Sequence, residues 1–161
     1  IGTSAMHLTP APRLWAAAAT LADGRVLLCG GADATIPSGE TRPATADAFL
    51  YDPATLEWEP ISPMRHARAM HRLVALGDGT VLVIGGADAA FGAAPGAAGE
   101  PVAEIERFDP DLDAFTAVGP APIELGSLPA VAWAPGQGLL AVAGVVGQGG
   151  GAEYGIVGLG P

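Results

Sequence analysis

The sequence contains no lysine. Its basic residues are seven arginines, set against seventeen aspartates and glutamates, for a formal net charge of −10. The lack of lysine removes Schiff-base chemistry and the phosphate-gripping lysine of a P-loop. The acidic balance excludes nucleic acid and an anionic membrane surface as expected partners. Cysteine is nearly absent too. A single Cys29 rules out an internal disulfide and any multi-cysteine metal site. It lies in the run Val26-Leu27-Leu28-Cys29 and reads as a small buried apolar residue rather than a nucleophile. The opening stretch, Ile1 to Arg13, has neither a basic nor an apolar segment of the kind a signal peptide needs. Leu125 to Ala152 carries no charge, but Pro129, Pro135, Gln137, Gln148 and many glycines interrupt it. It is therefore not read as a membrane span.

Glycine and proline, by contrast, are plentiful: 24 and 15 of 161 residues. That density cuts regular structure into short pieces and disfavours long helices. Half of the chain is apolar, enough for a core.

An internal repeat organises these pieces. Ala22-Asp23-Gly24-Arg25-Val26-Leu27-Leu28-Cys29-Gly30-Gly31-Ala32-Asp33-Ala34 matches Gly77-Asp78-Gly79-Thr80-Val81-Leu82-Val83-Ile84-Gly85-Gly86-Ala87-Asp88-Ala89. Leu50-Tyr51-Asp52-Pro53 matches Arg107-Phe108-Asp109-Pro110, and Trp58 matches Phe115. A weaker third copy replaces the Asp-Gly turn by Ala134-Pro135-Gly136 and the second strand by Leu139 to Gly144. Its Glu153 to Gly158 stands where Glu104 to Asp109 did. Each full copy reads as four short strands. A first strand such as Arg72 to Leu76 reverses at an Asp-Gly turn that supplies positive φ. The second, such as Val81 to Ile84, is apolar throughout, as a strand covered on both faces should be. Its diglycine end admits close neighbours. The third ends at Asp-Pro, and the fourth carries Trp58 or Phe115 as an anchor between sheets. Four short strands per copy make one propeller blade.

The residues Arg68-Ala69-Met70-His71, Gly85-Gly86, Phe108-Asp109-Pro110 and Phe115 resemble the kelch repeat. The first copy supplies Gly30-Gly31, Tyr51-Asp52-Pro53 and Trp58, with Arg13-Leu14-Trp15-Ala16 lacking the histidine. The pattern is similar to bacterial kelch repeat-containing proteins. That resemblance implies an all-β fold of four-stranded antiparallel blades, an incomplete ring of about three. Residues 1–13 (Met6 to Pro10 as a strand) would end a preceding blade, 14–60 and 66–118 would form two blades, and 126–161 an incomplete third. Other blades would come from a second copy, another chain or further sequence.

Chain direction puts the long connections Ala32 to Thr45 and Ala87 to Val102 on one face, with Pro60 to Ala67 and Gly119 to Ser127. Binding is expected on that face. Arg65, His66, Arg68, His71 and Arg72 are the candidate contacts for an anion or sugar; in the competing reading Arg68 and His71 are structural parts of the blade. His7 is the third histidine, and no third metal ligand is in sight. Asp109-Pro110-Asp111-Leu112-Asp113 opens like a calcium loop, but Ala114 and Pro120 stand where glycine and glutamate are required, so it reads as a turn. Gly147 to Ala152 is followed by no helix pattern and reads as a loop, not a dinucleotide site. Tyr51 and Tyr154 with the histidines bring to mind the copper site of galactose-oxidase-like kelch enzymes, yet no ligand set carries over. The expectation is a non-catalytic module without cofactor or metal. It would bind a protein partner, possibly a glycan, or a second copy completing the propeller. The alternative is part of a kelch-propeller enzyme acting on carbohydrates, its active site completed by other blades. Low charge and the absence of lysine resemble secreted or envelope proteins of this type.

Overall fold

The computed structural model describes residues 9–37, 40–90, 99–121, 130–134, 138–146 and 152–159. The first strands are β1 (Arg13–Leu14), β2 (Ala17–Thr20), β3 (Val26–Cys29), β4 (Ala32–Asp33), β5 (Arg42–Pro43), β6 (Ala48–Asp52) and β7 (Glu57–Ile61). They are followed by β8 (Arg72–Ala75), β9 (Val81–Ile84), β10 (Ala89–Ala90), β11 (Glu104–Asp109) and β12 (Ala114–Pro120). The last three are β13 (Ala130–Ala134), β14 (Gly138–Val146) and β15 (Ala152–Leu159). No helix occurs among the described residues.

Among the described residues the larger antiparallel sheets are β2-β3-β6-β7, then β8-β9-β11-β12, then β13-β14-β15, beside two two-stranded ladders. Consecutive strands pair because the turns are short and chemically specified. Gly24 and Gly79 sit at φ near +90° between the first two strands, and the carboxylates of Asp23 and Asp78 accept the amides of Arg25 and Thr80. Asp52 and Asp109 likewise accept the amides of Ala54 and Asp111 in the third turn. The repeat extends to backbone strain. Trp15 and Met70 occupy matching positions with φ of 57° and 59°, and Leu56 and Asp113 with 65° and 48°.

The sheets stack face to face, with the first strand of each beside that of the next: β2 beside β8, and β8 beside β13. Leu27, Cys29, Ala48 and Leu50 of the first sheet bury against Val81, Val83, Phe108 and Phe115 of the second. Val74, Leu82, Ile84 and Ile105 on the other face of the second sheet pack with Val131 of β13. β9 is buried at every position, as a continuously apolar central strand requires. Phe115 stacks on Phe108 at 4.7 Å, and Trp58 on Tyr51 at 5.0 Å, the same step in two copies.

Two features depart from expectation. The long second-to-third connections are not plain loops: β1 pairs with β4, and β10 of the second repeat pairs with β5 of the first. The connection after β7 does not stay on the long-loop face either. The amide of Ser62 donates to Asp113 Oδ1 at 3.1 Å, so it starts level with the β11–β12 turn and climbs across the second sheet. Residues 6–8 of the expected opening strand and the Gly147 to Gly151 loop lie outside the described residues.

Candidate functional site

The climbing connection ends in Arg68-Ala69-Met70-His71, which threads between the two diglycines. The Arg68 carbonyl accepts the Gly31 amide at 2.9 Å, and the Arg68 amide donates to Thr45. Ala69 and Ala87 exchange both backbone hydrogen bonds, and the Met70 amide donates to Trp15. A Cβ at Gly30 would collide with the Arg68 carbonyl and lie 2.6 Å from His71 Cε1; one at Gly86 would lie 2.6 Å from the Ala69 carbonyl. The diglycine is therefore the slot through which the next sheet's opening segment passes.

Buried polar groups lock this segment. Arg68 is fully buried. Its guanidinium donates to Glu106 Oε1 at 2.6 Å, the Gly85 carbonyl at 3.1 Å and the Glu104 carbonyl at 3.0 Å. Glu106, also 0 % exposed, accepts the amides of Arg65 at 2.7 Å and His66 at 3.0 Å. One carboxylate thus neutralises a buried cation and satisfies two backbone donors. Burial pulls the Arg68 guanidinium down while Glu106 opposes that shift.

His71 Nε2 lies 3.6 Å from Cys29 Sγ across the same junction. Burial pushes the thiol up to about 12. It pushes the imidazole down to about 3, with the nearby Arg68 charge adding to the shift. Both groups are neutral near pH 7, so the pair is not the thiolate–imidazolium couple of a cysteine nucleophile.

The five residues expected to bind therefore divide. Arg68 and His71 are sealed inside the junction, where a ligand does not reach them. Arg65 and His66 are about half exposed and face Glu104, at 3.3 and 3.2 Å. Arg72, on β8, is exposed. The sequence reading missed Glu106. Its signal was a carboxylate two residues before Phe108 in an inward-facing register.

On the long-loop face, a hollow of about 420 Å³ is lined by Arg13, Asp33, Thr35, Pro43, Thr45 and Asp47. Arg13 spans it, donating to Asp47 at 2.6 Å and lying over the Phe49 ring at 5.4 Å. Arg13 holds the Asp47 carboxyl below its ordinary value. The opposite face has a smaller hollow lined by Asp23, Asp78, Asp109 and Asp111. Asp23, Asp78 and Asp109 each accept an amide of their own turn. Among the described residues no three or more His, Cys, Asp or Glu side chains converge as metal ligands. Among the described residues, those named for a copper centre do not converge on one, and His7 and the Tyr154 side chain lie outside the described residues. Tyr51 packs on Trp58, His66 faces two glutamates, and His71 is sealed beside Cys29.

No family model matches the chain. A solved structure, "Novel fungal alcohol oxidase with catalytic diversity among the AA5 family, in complex with copper", shares the fold. It aligns with a TM-score of 0.66 over 82 % of this chain and 27 % of its own, at 16 % identity. The sheets are kelch-type β-propeller blades, all-β and antiparallel. In sequence, 74 residues (46 % of the chain) are 36 % identical to Kelch domain-containing protein 7A of Mus musculus, and they span 8 % of that protein.

Proposed function

We propose that this chain is a non-catalytic binding or assembly module. It would engage a protein partner, or a glycan, through the long-loop face and the outer sheet faces. One observation carries the reading. The arginine, histidine, cysteine and glutamate that could do chemistry are consumed in the Arg68–Glu106 and Cys29–His71 junction, while the long-loop face presents an open hollow rimmed by Asp33, Thr35 and Asp47. A rigid sheet stack with polar loop positions at one end suits recognition. The low charge and lack of lysine support a place outside the cytoplasm, in the envelope or secreted.

The second reading, part of a carbohydrate-oxidising propeller, draws on the fold shared with the copper oxidase. One experiment separates the two. Peptide-display and glycan panels are screened against the protein and against a Thr35→Arg variant, and copper-loaded protein is assayed for oxygen consumption with primary alcohols. Selective binding that Thr35→Arg removes supports the module. Copper-dependent turnover overturns it.

A further inference from the structure

The two matching edge strands differ in chemistry. β7 and β12 are the outermost strands of the first and second sheets, each paired on one side only among the described residues. β7 reads Glu57-Trp58-Glu59-Pro60-Ile61, and both glutamates and the proline are exposed. Charge and proline on an edge strand turn away an incoming strand. β12 carries no charge from Ala114 to Pro120, and Thr116, Ala117 and Val118 are exposed in a row. The charges that guard the first repeat's edge are missing from the second's.

The geometry of β12 leaves a regular stretch to pair with. Ala114 to Ala117 run in unbroken register with Asp109 to Glu106. The register then shifts, with Glu106 opposite Ala117 but Ile105 opposite Gly119, so Val118 is the extra residue. It stands 51 % exposed. The bulge ends the regular stretch and presents an apolar side chain beside it. Phe115, buried against the first sheet, holds the strand in place. A row of backbone donors and acceptors on a strand held this way is a template for another strand.

The surrounding charge selects the occupant. Asp109, Asp111 and Asp113 flank the turn that opens β12, with Leu112 between them 72 % exposed. Arg107 of β11 faces Asp78. A second copy would bring the same aspartates and a further formal charge of −10. A strand with a basic end is attracted where a second copy is repelled.

We infer that β12 docks an extended segment of a partner protein as an added antiparallel strand. Uncharged residues of that segment lie along Thr116 to Val118, and a lysine or arginine end lies beside Asp111 and Asp113. Antiparallel pairing places the partner's C-terminal end at that turn. This surface is separate from the loop hollow and goes beyond the loop-face reading.

Fluorescence anisotropy follows a labelled peptide of alternating threonine and valine that ends in a pair of lysines. Saturable binding that weakens with added salt is expected. Val118→Lys and Thr116→Lys, both at exposed positions, should each weaken it at least ~10-fold, as a charged edge or a lost anchor does. Ending the peptide in glutamates should weaken it likewise. Methylating alternate peptide amides gives two versions, and only one should lose binding, because a strand pairs through one edge. Glu57→Gln on β7 should change nothing. Binding at the loop hollow, which Thr35→Arg removes, should be untouched by Val118→Lys, so the two readings fail separately. No saturable binding up to millimolar peptide, equal binding by both methylated versions, or indifference to both lysine variants overturns the inference. So does a dimer of the protein alone that Val118→Lys abolishes, which would give the edge to a second copy.

Discussion

Replacing Glu106 with alanine tests the junction at its centre. The carboxylate faces a guanidinium 2.6 Å away, and both side chains are 0 % exposed. Removing one member of a buried pair strands the other charge and costs about 3–5 kcal/mol. The amides of Arg65 and His66 also lose their acceptor, at about 1–3 kcal/mol for each buried donor left alone. The two losses overlap, so the expected destabilisation is about 4–6 kcal/mol, a large share of a domain's stability. Glu106→Gln keeps an acceptor oxygen and should lose roughly half of that. The double variant Arg68→Met/Glu106→Met removes both charges and should be more stable than Glu106→Ala, because no buried charge is stranded, while the two amides stay without their acceptor. Urea unfolding followed by tryptophan fluorescence reads these differences as midpoint shifts at constant slope. A change below about 1 kcal/mol for Glu106→Ala would refute the reasoning. So would a double variant no more stable than the single one.

Other consequences follow from the same junction. His71 is neutral in the fold, with its pKa lowered from 6.5 to about 3. The unfolded chain therefore takes up a proton that the fold refuses. Stability present above about pH 6.5 is lost as pH falls towards 3, by roughly 1.4 kcal/mol per pH unit from this residue. The aspartates held below their ordinary value, Asp23, Asp33, Asp47 and Asp78, act in the same direction at lower pH. The difference between the parent chain and His71→Leu across pH 7 to 4 isolates the histidine, and equal slopes would contradict its burial. Cys29, pushed up to about 12, should alkylate about 1,000-fold more slowly in the fold than after unfolding at pH 8; comparable rates would exclude a buried thiol. Gly86→Ala meets the Ala69 carbonyl in addition to adopting positive φ, whereas Gly24→Ala has open space around its Cβ. The second should cost about 1–2 kcal/mol, the left-handed strain alone, and the first clearly more.

Much of this architecture is legible in the sequence because its determinants are local. Asp23-Gly24 and Asp78-Gly79 specify turns, Val81 to Ile84 specifies a doubly covered strand, and the diglycines announce a close approach. The junction's polar logic is less legible. Glu106 lies 38 residues from Arg68, and only the strand register shows that it points inward. The ladders β1–β4 and β5–β10 are two residues long, within stretches rich in proline, alanine and threonine that carry no alternation. The positive φ of Trp15 and Met70 runs against both residues' preferences, and only the threading of the segment between sheets imposes it. Arg68 and His71 combine residue types typical of binding sites, and burial alone assigns them to the interior.

Native-state hydrogen exchange tests the central claim most directly: the segment 68–71 is clamped between two sheets as part of their shared core. The amides of Gly31, Ala69 and Met70, each donating across the junction, should exchange as slowly as those of β9, through global unfolding alone. Exchange at the rate of the exposed turn amide of Leu112 would mean that the segment is a surface loop, and that the polar junction does not hold the blades together.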